Sequence, residues 1–143
     1  MKIIIDSEIF TSQRRGGISR HFSNLISSFK LKENFSIHLN SYFHTNLHLK
    51  EERIGLYVNY RFRKFIRILQ LFQRLIPPKA DIIQLSYYSK NIIKSKIPIV
   101  TTAYDMIPES GLMKEFSKSF IESKYKAFKN SKAIICISNS TKN

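Results

Sequence analysis

Three isoleucines, Ile3, Ile4 and Ile5, stand together near the start of the chain and stop at a carboxylate, Asp6. A short unbroken apolar run of this kind is the pattern of a strand buried on both faces. A polar loop containing two glycines follows over residues 7–17. Phe22, Leu25, Ile26 and Phe29 then recur at helical spacing, with Ser19 placed to cap the helix start. Over residues 35–43, Phe35, Ile37 and Leu39 alternate with polar positions and predict a second strand. Residues 44–60 hold no clean period and read as loop with short elements.

The next segment, 61–76, predicts an amphipathic helix. Phe62, Phe65, Ile66, Leu69, Phe72 and Ile76 share one face, and Arg63, Lys64, Arg67, Gln70 and Arg74 lie towards the other. Pro77 and Pro78 end it. Residues 81–85 and the β-branched run 97–103 read as strands, 115–130 as a helix, and 133–137 as a last strand. Strands alternating with helices predict an α/β fold, a parallel sheet with helices on both faces. In such sheets ligands bind outside the carboxyl ends of the strands. Polar clusters fall at those ends, at residues 13–20, 86–88, 104–105 and 138–141, and together they form the candidate site.

Composition narrows the class without naming a partner. A length of 143 residues suits one domain with its own core, and 43% apolar residues exclude a disordered tail. The lone Cys136 excludes a disulfide framework and a Cys-rich zinc site, fits a reducing compartment, and reads as core within its strand. No apolar run is long enough to span a membrane, and the early Asp6 argues against a signal peptide, so a cytoplasmic domain is expected. Lys and Arg number 24 against 10 Asp and Glu, a formal charge of +14. Such a field attracts any anion, nucleic acid, acidic lipid or phosphorylated metabolite. It is equally what an AT-rich genome produces when Lys becomes the default surface residue.

Individual groups say more. Gly16 and Gly17 sit between a strand and a helix, flanked by Arg14, Arg15, Ser19 and Arg20. Paired glycines permit close backbone approach, and a helix start offers unpaired N–H groups to an anion. Neither the Walker loop nor the dinucleotide fingerprint is present. Asp105 follows a buried strand, where it reads either as a base or acceptor for a substrate hydroxyl, or as a turn cap. Glu109 has the same standing. Ser138 and Ser140 read as helix caps or as hydroxyl contacts to a ligand. The four histidines show no metal-like spacing, and no metal site is expected. From Arg53 to Lys79 there are seven Lys/Arg and no Asp/Glu. A helix so charged either lies on an anionic membrane surface through Arg61, Arg63, Lys64, Arg67 and Arg74, or packs its apolar face on the sheet. Arg–Phe interleaving also suits single-stranded nucleic acid, but no recognised motif supports a nucleic-acid partner.

The segment 6–20, Asp-Ser-Glu-Ile-Phe-Thr-Ser-Gln-Arg-Arg-Gly-Gly-Ile-Ser-Arg, resembles the first loop of family 4 glycosyltransferases of the GT-B fold. It is most similar in kind to bacterial, mannosyltransferase-like enzymes that build surface polysaccharide and O-antigen. Two further stretches match in order: Val-Thr-Thr-Ala-Tyr-Asp-Met-Ile-Pro-Glu at 100–109 and Ala-Ile-Ile-Cys-Ile-Ser-Asn-Ser-Thr-Lys at 133–142. Only the middle, about 46–79, has no matching motif.

The resemblance implies a Rossmann-like parallel sheet, the N-terminal half of a GT-B fold. It further implies retaining transfer of a sugar from a nucleotide-sugar to an acceptor hydroxyl, without metal or other cofactor. Gly16 and Gly17 would lie beside the donor diphosphate, and Asp105 would be the catalytic group facing the acceptor or the transferred sugar. Arg15, Ser19, Arg20, Tyr104, Glu109, Ser138 and Ser140 would line the acceptor side of the cleft. Many relatives carry His before the aspartate; Tyr104 stands here, so no imidazole role carries over. The family's donor-binding domain, with its basic residue and paired glutamates, would follow residue 143. The expectation is therefore an acceptor-side half, inactive alone, that needs that partner domain. The basic helix would suit a glycan on a polyprenyl diphosphate at the inner membrane face. The alternative is a stand-alone basic module that binds a membrane surface or a partner without catalysis.

Overall fold

The computed structural model describes residues 1–30, 32–73, 79–88, 96–104 and 118–142, with the side chains of 71–73 left aside. In chain order the elements are β1 (Lys2–Ile5), α1 (Glu8–Ser12), α2 (Gly17–Phe29), β2 (Ser36–Leu39), β3 (Phe43–His44) and α3 (Leu47–Glu51). There follow β4 (Leu56–Tyr57), a 3-10 turn (Tyr60–Phe62), α4 (Arg63–Gln73), β5 (Ile82–Leu85), β6 (Ile99–Ala103), α5 (Lys118–Lys129), β7 (Ala133–Cys136) and α6 (Asn139–Lys142). The main sheet has the order β2-β1-β5-β6-β7, and every pair in it is parallel. The strand order reverses between β1 and β5, which makes the carboxyl end of that pair the switch point of the sheet.

Side chains alternate across a strand, so the register sorts them into two layers. Ile5 stands level with Leu39 and Gln84, and packs with Ile9 and Phe10 of α1 and Phe22 and Ile26 of α2. Ile83, Leu85 and Ile99 belong to the opposite layer and pack with Phe120, Ala127 and Phe128 of α5. An α/β parallel sheet with helices on both faces is therefore the architecture.

Several local readings change. The strand expected over 35–43 ends at Leu39: the Asn40 N–H donates to the Ile5 carbonyl at 2.8 Å, and the chain then bends. Phe43 and His44 leave the main sheet and pair in parallel with Leu56 and Tyr57. Parallel neighbours need a crossover, and α3 supplies it inside a stretch that read as loop. Asn46 caps that helix, its Oδ1 accepting from the His48 and Leu49 N–H groups at 2.9 and 3.3 Å. Gly55 closes the crossover at φ +70°, where a Cβ would meet the Tyr42 carbonyl oxygen at 2.6 Å. Only glycine fits both demands.

The amphipathic helix forms, but it docks by a narrow strip. Ile66 is buried as expected, yet so is Gln70, whose Oε1 accepts from the Thr11 hydroxyl at 3.1 Å. Phe62 and Phe65, expected on the packed face, are exposed. The reason is the partner: α4 lies against the short α1 and against β3, not across the broad sheet. Among the described residues β7 has one neighbouring strand, and there Ile134 and Ile135 are exposed and Cys136 is half-buried, not core. The proline stop and the first three residues of the helix expected over 115–130 lie outside the described residues.

Candidate functional site

The switch point is closed from within by a buried polar pair. Asp6, the residue after β1, and Ser86, the residue after β5, face each other there. The Ser86 N–H donates to Asp6 Oδ1 at 2.8 Å, the Ser86 hydroxyl donates to the same oxygen, and the Ile9 N–H donates to Ser86 Oγ at 3.2 Å. Both residues are buried. This network on a carboxylate ties the two strand ends to the start of α1 and fixes the rim on which the following loop sits. Nothing local in the sequence marked Asp6 as a residue of the site or showed its partner 80 residues away.

The loop 13–17 then leads into α2 along this rim. Gly16 is the residue preceding the helix, its position offers no side-chain cap, and no acidic residue stands in the first turn. Ser19, expected to cap it, is instead fully buried within the first turn and donates its hydroxyl back to the Gly16 carbonyl at 3.0 Å. The two glycines differ in what they permit. A Cβ at Gly16 would strike the Gln13 amide oxygen at 2.3 Å, whereas a Cβ at Gly17 would meet nothing within 4 Å. Gly17 opens on a hollow of about 310 Å³, bounded also by Ile18, His21, Tyr104 and Ile137.

This hollow draws on all three stretches that carried the resemblance, or on residues directly beside them. Gly17 and Ile18 come from the first, Tyr104 from the second and Ile137 from the third, with His21 one turn further along α2. Tyr104 packs edge-on against Phe22, with ring centroids 6.5 Å apart. Its hydroxyl is buried beside Thr102 and, among the described residues, makes no hydrogen bond of normal geometry. Burial, with Tyr88 and Asp6 adding to it, raises the Tyr104 pKa far above the ordinary tyrosine value. The phenol is therefore neutral throughout the physiological range. No family model, curated protein or solved structure matches the chain.

The remaining expected residues scatter. Arg15 and Arg20 are exposed near the helix start, and Arg15 is turned to Glu51 of α3 in a solvent-exposed ion pair. Ser138 caps α6, its Oγ accepting from the Thr141 N–H at 3.2 Å, and Ser140 is exposed within that helix. Arg61, Arg63, Lys64 and Arg67 are exposed on or beside α4 and do not line the hollow. Asp105, Glu109 and Arg74 lie outside the described residues. His21 and Ile137 were not anticipated; the signal available was that His21 falls four residues after Gly17, on the same helix face. Among the described residues no three His, Cys, Asp or Glu side chains gather to hold a metal ion. A second hollow of about 330 Å³ lies beside β2, with Lys30, His38, Tyr42 and Arg53 at its edge.

Chemically, the rim hollow has apolar walls in Ile18, Ile137 and the Tyr104 ring, whose hydroxyl is buried, and an uncapped helix start with Arg14, Arg15 and Arg20 outside it. A helix start without a cap leaves its first amides to an external acceptor. The combination suits a neutral ring bearing an anionic group.

Proposed function

We propose that this chain is the acceptor-side part of a retaining sugar transferase of the GT-B kind, with a Rossmann-like sheet and a nucleotide-sugar as donor. The supporting observation is the meeting of Gly17, Tyr104 and Ile137, one from each resembling stretch, around a single hollow. In this reading the hollow holds the terminal sugar of the acceptor, and Gly16 and Gly17 at the start of α2 lie beside the donor diphosphate. Catalysis would come from positioning and from stabilising charge on the leaving diphosphate. The Tyr104 ring would form a wall against the sugar, and Asp105 would accept from the attacking hydroxyl. A second domain would supply the groups that hold the nucleotide, so the acceptor is the ligand this half should recognise by itself.

Gly17 provides the test. Its Cβ space is open, so Gly17→Ala should fold normally, whereas Gly17→Leu should fill the hollow. Calorimetric titration with a farnesyl-diphosphate-linked disaccharide is expected to show binding by the wild type and loss of about tenfold or more in Gly17→Leu. No binding by the wild type, or equal binding by Gly17→Leu, would contradict the reading. A non-catalytic basic module is the second reading, and the outward-facing apolar residues of α4 are what favour it.

A further inference from the structure

α4 and the turn before it present a surface that sugar chemistry does not use. Phe62, Phe65 and Ile68, at three-residue steps, are 52%, 58% and 51% exposed. Arg61, Arg63 and Lys64 stand among them, all exposed, and none of the three makes an ion pair with the described residues. Arg61 lies over the Phe62 ring at 5.5 Å and Arg63 over Tyr60 at 4.8 Å, so the cations and the rings form one mixed patch. No acidic residue occurs between Arg53 and Lys79.

We propose that α4 is an interfacial helix that docks the protein on an anionic phospholipid surface. Phe62, Phe65 and Ile68 enter the headgroup–acyl boundary, and Arg61, Arg63 and Lys64 bind the lipid phosphates. Three things on the molecule select this partner. The charged groups beside the apolar ridge, Arg61, Arg63 and Lys64, all have one sign, which calls for an anionic partner. The apolar side chains form a row along a helix whose opposite side is already docked, the arrangement of helices that lie in a membrane interface. And no helix among the described residues is long and apolar enough to cross a membrane, so association would be from one side.

The docked side of α4 ties this surface to the rim. Arg67 donates to Ser12 Oγ at 2.8 Å and lies 3.8 Å from Glu8, the Tyr60 hydroxyl donates to the Ser12 carbonyl at 3.2 Å, and Thr11 donates to Gln70. All four contacts end on α1, which runs directly into the loop 13–17. Lipid that holds α4 therefore also holds the rim loop close to the bilayer. This docking does not depend on the rim's ligand being a sugar.

The chain contains no Trp, so Phe65→Trp introduces a single reporter at the patch. Its emission is expected to shift to the blue on mixing with phosphatidylglycerol–phosphatidylcholine vesicles, and to be quenched by brominated acyl chains. Flotation of the unaltered chain should show binding to those vesicles and none to phosphatidylcholine alone. The double variant Phe65→Ser/Ile68→Ser should lose binding, and Arg61→Gln/Arg63→Gln/Lys64→Gln should weaken it about a hundredfold at low salt, about fivefold per cation. Thermal melting checks that each variant is folded. Absence of wild-type binding at low salt, or binding that both variants retain, overturns the proposal. So does an emission spectrum of Phe65→Trp that lipid leaves unchanged, or α4-dependent binding of single-stranded RNA without vesicle binding.

Discussion

His44 carries the clearest consequence of a single side chain. It is the second residue of β3, it is fully buried, and its ring meets Tyr57 edge-on at 6.1 Å beneath the Gly55 turn. Burial lowers its pKa below the ordinary 6.5, and two backbone contacts offset this only in part. The folded state therefore binds the proton less well than the unfolded chain. Stability from this residue is complete above the unfolded pKa and is lost as pH falls below it towards the folded value. The melting temperature should accordingly drop on going from about pH 7.5 to about pH 5.5, and His44→Leu should flatten that dependence. A slope unchanged in His44→Leu would place the acid sensitivity elsewhere. Little of this was legible from the chain. His44 sits where no period is visible, and what buries it is a partner strand reached only after the α3 crossover.

At the scale of elements, what could be read depended on length. The central strands were evident because each is an apolar run buried from both sides, as in Ile3-Ile4-Ile5 and at Ile99. The five-residue α1 was hidden in an apparent loop, since so short a helix repeats no pattern. That omission propagated. The docking face of α4 is set by α1, so the strip around Ile66 and Gln70 was buried while the phenylalanines beside it were left outside. Truncation separates the two faces. Ile66→Ala should cost about 2–5 kcal/mol in urea unfolding, as a cavity in a packed contact. Phe65→Ala should stay within about 0.5 kcal/mol, as an exposed change. Equal costs at the two positions would mean that α4 is docked on a different face.

The molecule as a whole is a parallel sheet whose candidate rim was visible in outline and not in detail. The described residues of the polar clusters, 13–20, 86–88, 104 and 138–141, follow β1, β5, β6 and β7 on the side of their carboxyl ends, as the alternation of elements implied. What alternation does not convey is how helices close over that rim. Ser19 turned inward, Ser138 became a cap and Arg15 was drawn to Glu51, while His21 and Ile137 came to the hollow. The charge of +14 belongs to this scale too, and on α4 its cations coincide with exposed rings. Whether the rim hollow takes the acceptor is measured most directly by an amide-resolved NMR titration of the chain with the prenyl-diphosphate disaccharide. The amides of Gly17, Ile18, His21, Tyr104 and Ile137 are expected to shift together while β2 and α3 stay still. Shifts gathered instead around Lys30, His38 and Arg53 at the other hollow, or no shifts at all, would contradict it.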